Sequence, residues 1–189
     1  MIGEIEKSII ESSEVIRHTT NLSKQIEKSI IAIIDCLKNN NKIVLFGNGG
    51  SAADAQHIAA EFIGRFKIER DSYPAMSLTT DSSILTSLGN DYSFDVIFSR
   101  QCESLVLPGD VVIGISTSGN SKNVENGLNT SKKNGAVTIG LLGNNGGYIK
   151  SSVDIPIIVE SNMTSKIQEV HRVIYHIICE MVEKEFLKK

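Results

Sequence analysis

The chain predicts an α/β fold: a three-layer sandwich in which a five-stranded parallel sheet is flanked by helices, with helices added at the N-terminus. Short, near-continuous apolar runs alternate with helical patterns, as in strands buried on both faces. Two of these runs end in small-residue turns that open directly into helices, the strand-turn-helix grammar of a parallel sheet. The 189 residues suit one domain with a sizeable core, and no linker, repeat or low-complexity stretch divides residues 1–189.

Residues 4–38 read as one or two helices, because Ile5, Ile9, Ile16, Leu22, Ile26, Ile30, Ile33, Ile34 and Leu37 recur at helical spacing. This apolar stripe is long for a monomer, so the segment 1–38 is expected to support oligomerisation. Asn39-Asn40-Asn41 marks a turn before the strand Ile43–Phe46. The turn Gly47-Asn48-Gly49-Gly50-Ser51 follows, with Ser51 and Asp54 spaced like a capping box for a helix from Ala52 to about Phe62. A short strand, Ala75–Leu78, leads to Thr79-Thr80-Asp81-Ser82-Ser83, a cluster that caps a helix ending near Gly89-Asn90-Asp91. One helix is expected from about Phe94 to Leu105. Pro108-Gly109-Asp110 turns the chain into the strand Val111–Ile115 and the second turn, Ser116-Thr117-Ser118-Gly119-Asn120-Ser121. A helix Asn123–Asn134 stops at Gly135, and the strand Val137–Leu142 is followed by a loose glycine and asparagine loop, 143–147. The strand Ile155–Val159 and a long helix from about Thr164 to Phe186 complete the chain.

Composition removes several classes of function. A net charge of -3 without a basic block argues against nucleic-acid binding. The longest apolar runs are about six residues, where a membrane-spanning helix needs about 20. Cys36, Cys102 and Cys179 are odd in number and lack CxxC spacing, which suits the reducing cytoplasm.

The chemistry concentrates in five places. Ser116, Thr117, Ser118 and Ser121 put four hydroxyls into six residues around Gly119, more than a helix cap needs and well suited to a phosphate. The Gly47–Ser51 turn has neither GxGxxG spacing nor a P-loop lysine, so it fits a tight strand-to-helix turn as well as a ligand loop. His57 and Glu61 stand at i, i+4 on an alanine-rich helix, where they fit a metal pair, an acid/base pair or a solvated pair; Arg65 follows on the same side. On the last helix, Gln168 and His171 share a face, and His176 lies two turns beyond Gln168, rotated by about 80°. Those residues fit a ligand or simply the polar stripe of an amphipathic helix. Asn90-Asp91 fits a sugar contact or a plain turn.

Taken together, GNGGSAADAQHIAAEFIGRF (47–66), SLTTDSSILTSLGNDYSF (77–94), DVVIGISTSGNSKNV (110–124) and IQEVHRVIYH (167–176) resemble bacterial phosphoheptose isomerases of the sugar-isomerase (SIS) domain superfamily, from about residue 40 to the C-terminus. The resemblance implies a flavodoxin-like SIS domain and interconversion of sedoheptulose 7-phosphate and D-glycero-D-manno-heptose 7-phosphate, toward the heptose of lipopolysaccharide or capsule. It implies one zinc per subunit held by His57, Glu61, Gln168 and His176; an enediol isomerisation also needs a base and an acid, roles for which Glu61 as base and His176 as acid or ring-opening partner are the expected catalytic residues. It implies phosphate binding by Ser116, Thr117, Ser118 and Ser121. It further implies sugar contacts from Asn48, Gly49, Gly50, Ser51, Glu61, Arg65, Asn90, Asp91 and Gln168, and a homotetramer. Ser165 stands where some family members carry an acid. Two other SIS roles compete: isomerisation of a different phosphosugar, and non-catalytic binding of a replication initiator. The complete set of four implied ligands favours the enzyme.

Overall fold

The structure, a computed structural model, describes residues 1–187. Five strands, β1 (Ile43–Gly47), β2 (Ala75–Ser77), β3 (Val111–Ser116), β4 (Val137–Gly143) and β5 (Ile155–Val159), pair in parallel in the order β2-β1-β3-β4-β5. Successive connections run outward from β1 to β2 on one side and from β3 to β5 on the other. The strand order therefore reverses between β1 and β3, and a crevice opens beyond their carboxyl ends. Both serine turns leave the sheet at that crevice, since Gly47 is in register with Ile115.

Alternation along each strand sorts the core into two layers. Ile43, Leu45, Ile113, Ile115, Ile139, Leu141 and Ile157 face α2 (Ser23–Lys38), α3 (Gly50–Ile63) and α7 (Thr164–Phe186). Val44, Phe46, Val112 and Leu142 face the opposite way, toward α5 (Ser99–Leu105) and α6 (Lys122–Lys133). Phe46 stacks on Phe98 with ring centroids 4.9 Å apart.

The N-terminal stretch forms two helices, α1 (Ile2–His18) and α2, joined by a tight 3-10 turn at Thr19–Leu22. No residue of α1 is buried, and Ile2, Ile5, Ile9 and Ile10 are exposed. The helix is anchored on α7 by the buried Lys166, whose Nζ donates to the Ser8 carbonyl at 2.9 Å and to Ser12 Oγ. The threonine-serine cluster does open a helix, α4 (Ser82–Asp91), with Asp81 Oδ1 accepting from the Ile84 amide at 2.9 Å.

Three expectations are corrected. The Ser51/Asp54 capping box does not form: α3 begins at Gly50, capped by Gly49 in a left-handed conformation (φ 56°), so Ser51 is already inside the helix. Asp54 is buried and turns to α7 instead. Residues 94–105 are not one helix but a 3-10 turn, Phe94–Val96, followed by α5; the break coincides with Ile97 and Phe98 both entering the core. The loop at 143–147 is packed rather than loose. Asn144 Nδ2 donates to the Thr117 carbonyl at 3.1 Å, and Asn120 Oδ1 accepts from the Tyr148 amide at 3.1 Å.

Candidate active site

The second serine turn is a closed cradle. Ser116 Oγ lies 3.0 Å from Ser121 Oγ and 3.4 Å from Ser118 Oγ, and it accepts from the Gly119 amide at 3.1 Å. Ser121 is the N-cap of α6, yet its hydroxyl makes no capping bond to the helix. The clustered hydroxyls therefore meet the positive N-terminal end of α6, the arrangement that suits an anion, although the Val124 amide of that first turn is already taken by Asn123 Oδ1 at 2.9 Å. Thr117 belongs to the same turn, with its carbonyl tied to Asn144. Gly119 has φ 69°, and a Cβ there would stand 2.3 Å from the Gly146 carbonyl carbon. Only glycine lets the loop at 146–147 close on the cradle.

The first turn is bolted to the second. Asn48 and Asn123 exchange two amide hydrogen bonds, both 2.9 Å, so Asn48 braces the start of α6. Gly49 and Gly50 are exposed, whereas Ser51 is buried.

The third group lies on a seam between α3 and α7. Gly50, Asp54, His57 and Glu61 follow one another up one stripe of α3, and Gln168, Arg172, Tyr175 and His176 do so on α7. At the upper end His57, Glu61 and His176 each offer a ligand atom, all within 4.8 Å of one another. His57 Nε2 is 2.9 Å from Glu61 Oε1. An imidazole nitrogen that close to a carboxylate oxygen requires a positive centre between them, either a proton or a metal. Two imidazoles and a carboxylate form a donor set suited to zinc, with positions left for a further ligand and a substrate oxygen. The residues fit the metal that the resemblance implies.

Gln168 lies at the lower end of the seam. Its amide packs against Gly50, where a Cβ would meet Nε2 at 2.3 Å. It borders a hollow of about 380 Å³ with Asp54, Ser165, Glu169 and Arg172. Hollows of about 540 and 570 Å³ lie elsewhere and contain none of the implied site residues. Arg65 lies beyond the end of α3, exposed and paired with Glu69 at 3.2 Å, outside the seam. Asn90 and Asp91 are exposed at the end of α4, joined to each other at 2.8 Å.

His176 is held below the ordinary histidine range, first by desolvation and then by the neighbouring His57. His171, which shares the helix, is no ligand: it is fully buried, 3.1 Å from the Leu142 carbonyl, and burial pushes its pKa down to about 4.

Sequence reasoning passed over the residues that surround the triad. Tyr175 Oη sits 3.3 Å from His57 Nδ1 and 3.3 Å from Asp54 Oδ1, and Arg172 Nε donates to it at 3.0 Å. Arg70 clamps the end of α3, donating to the carbonyls of Glu61 at 2.8 Å and Phe62 at 2.9 Å and to Glu183 Oε1 at 3.1 Å. Burial works against ionisation of Glu183, but the amides of Lys67 and Phe66 and the Arg70 charge outweigh it and hold the carboxyl below its usual range. Only the adjacency of Tyr175 to His176 hinted at any of this; Arg70 and Glu183 lie 113 residues apart and left no local trace.

A crevice at the strand-order reversal, with the hydroxyl cradle beyond β3 and the His57, Glu61 and His176 cluster beyond β1, defines an α/β domain with a candidate ligand site at the carboxyl ends of its strands. The family model described as SIS domain matches residues 9–143. Phosphoheptose isomerase of Citrifermentans bemidjiense is 52% identical, with the match covering 100% of this chain and 99% of the relative. That of Aquifex aeolicus is 52% identical over 97% of each. Among solved structures, phosphoheptose isomerase from Neisseria gonorrhoeae superposes with a TM-score of 0.92 at 37% identity, covering 97% of this chain and all of that one. The chain belongs to the SIS domain family. Within it, it is a member of the phosphoheptose isomerases, a family of enzymes.

Proposed function

We propose that the chain interconverts D-sedoheptulose 7-phosphate and D-glycero-D-manno-heptose 7-phosphate through an enediol. The observation that carries this reading is the meeting of His57, Glu61 and His176 within 4.8 Å, in a chain 52% identical to phosphoheptose isomerases along its whole length.

The Ser116–Ser121 cradle anchors the terminal phosphate, so that binding energy far from the reacting carbons positions C1 and C2. Asn48, Gly49, Gly50, Ser51, Asn90, Asp91 and Gln168 line the sugar chain, and Arg65 is assigned with them. The Glu61 carboxylate takes the proton from C1 of the ketose and returns it to C2. Its Oε1 lies 2.9 Å from His57 Nε2 on the side of the ligand cluster, and the other oxygen exchanges the proton. His176, whose pKa is lowered by desolvation and by the neighbouring His57, gives its N–H proton to O2 as the enediol forms and takes one back from O1. Zinc held by His57, Glu61 and His176, with Gln168 as the further ligand, would supply electrostatic stabilisation of the two oxygens. Glu61 would hold the ion by one carboxylate oxygen and exchange the proton by the other, and His176 would hold it by one ring nitrogen and keep its N–H at the other.

The whole chain acts as a single domain in this reading. The exposed isoleucines of α1 supply the contact that builds a homotetramer, and the enzyme works in the cytoplasm to feed heptose into lipopolysaccharide or capsule. No helix among the described residues is long and apolar enough to cross a membrane.

The test is turnover of sedoheptulose 7-phosphate with product analysis, with and without a chelator and zinc add-back. Heptose 7-phosphate that forms with zinc and disappears with chelator is the expected result. Folded protein that gives no product under any metal condition overturns the assignment.

A further inference from the structure

The Tyr175 hydroxyl lies at the centre of a wiring problem with one good solution. It has one proton and two lone pairs. Its neighbours are Asp54 Oδ1 at 3.3 Å, Arg172 Nε at 3.0 Å and His57 Nδ1 at 3.3 Å. Arg172 can only donate, so it occupies one lone pair. Asp54 is a buried carboxylate that also accepts from Arg172 Nη2 at 3.3 Å, and as an acceptor it claims the tyrosine's proton. One lone pair remains, and it faces His57 Nδ1. That contact is a hydrogen bond only when Nδ1 carries a proton. A neutral His57 so protonated presents a bare Nε2, the atom that lies among the ligand cluster with Glu61 and His176. The opposite wiring, with Tyr175 donating to Nδ1, turns two oxygen acceptors toward each other at 3.3 Å and places the imidazole proton on the metal side.

We propose that Tyr175 is a positioning residue for the metal site: through its hydroxyl, Asp54 fixes the His57 tautomer that offers Nε2 to the ion. The inference rests on the reading of His57 as a metal ligand. The ring assists the hydroxyl. Tyr175 is buried and lies edge-on to both imidazoles, with centroids 5.5 Å from His57 and 4.7 Å from His176, so it cannot swing away from either. Carboxylate partners behind a ligating histidine are a recurring means of raising its basicity and locking its ring. Here the carboxylate acts at one remove, through a phenol.

Tyr175→Phe deletes the hydroxyl and keeps the ring. Metal-free wild-type protein, Tyr175→Phe, Asp54→Asn and the double variant are titrated with zinc in competition with a chromophoric chelator. Tyr175→Phe and Asp54→Asn are each expected to weaken zinc binding by about tenfold or more. The double variant is expected to fall little below the weaker single one, because both changes cut the same relay. The second readout is the side-chain ¹⁵N spectrum of zinc-loaded protein, in which wild type shows His57 protonated at Nδ1 and Tyr175→Phe loses the slow exchange of that proton. Wild-type affinity in Tyr175→Phe overturns the proposal while leaving the metal site standing. Wild type that binds no zinc overturns the metal reading itself, and is recognised before any variant is compared. If Tyr175→Phe does not fold, wild-type affinity in Asp54→Asn overturns the proposal in the same way.

Discussion

The phosphate cradle and the α3/α7 seam are built in opposite ways. The cradle is one contiguous segment: Ser116, Ser118, Gly119 and Ser121 bond to one another across no more than five residues. The seam is assembled from helices whose facing residues stand 118 to 121 positions apart, as His57 and Asp54 do from Tyr175. A contiguous site is fixed once its strand and helix form, and long-range packing only closes it over. An assembled site exists only if α7 docks in the right register, and this chain spends several buried polar contacts on that register. Asp54 pairs with Arg172 and Tyr175 in mid-seam, and Arg70 with Glu183 closes its upper end. The hydroxyls of the cradle should therefore respond to substitution mainly in substrate binding, and the seam mainly in chemistry and in stability.

The largest effect is expected at the seam. Glu61→Gln should lower kcat by about 10²–10⁴-fold with little change in KM, since it removes the proton carrier and leaves the cradle intact. A variant with near-normal turnover breaks the assignment of chemistry to the seam. The cradle's most severe substitution is Gly119→Ala, which demands a positive φ from alanine and drives its Cβ into the backbone at Gly146. A loss of about 3 kcal/mol or more in urea unfolding, together with a raised KM, is expected. An unaffected midpoint would mean that the loop at 146–147 does not rest on the cradle.

The docking of α7 can be probed by pH. His171 is buried on that helix with its pKa lowered from 6.5 to about 4. Between those values the unfolded chain binds a proton that the folded chain does not. Stability is therefore complete above pH 6.5 and declines as the pH falls toward 4, by about 3 kcal/mol in all. His171→Leu should flatten that part of the stability profile measured by urea unfolding, and a profile with the wild-type slope would assign the acid sensitivity elsewhere. The smallest effect belongs to single hydroxyls. Ser121→Ala removes one bond to a charged oxygen, worth about 1.5–3 kcal/mol, and should raise KM about tenfold or more with kcat kept. A fall in kcat with KM unchanged would instead tie the cradle to the chemical step.

The same contrast governs what could be read in advance. The strand at 111–115, the hydroxyl-rich turn after it and the stop at Gly135 were all legible, because each expresses a short-range rule of burial, turn geometry or capping. The Ser51/Asp54 pair was legible too but misleading. Its spacing satisfied a local rule, while Gly49 began the helix two residues earlier and Asp54 was taken by Arg172 and Tyr175 of α7. His57 with Glu61, and His176 with Gln168, read from the residues alone as two unremarkable helix pairs; only the family resemblance joined them, and the structure brings three of the four together while laying Gln168 beside Gly50.

The sequence by itself determined the elements, their alternation and hence the parallel sheet, with two turns placed at the carboxyl ends of β1 and β3. It did so because apolar periodicity, glycine conformations and hydroxyl clusters act over a few residues. The tertiary structure alone decided which helix faces meet, that Tyr175 stands behind His57, that Arg70 closes the end of α3, and that the loop at 143–147 packs onto the cradle. Those contacts join residues 9 to 121 apart along the chain. Most are set by how α3, α7 and the loops pack against a common sheet, which no local pattern encodes.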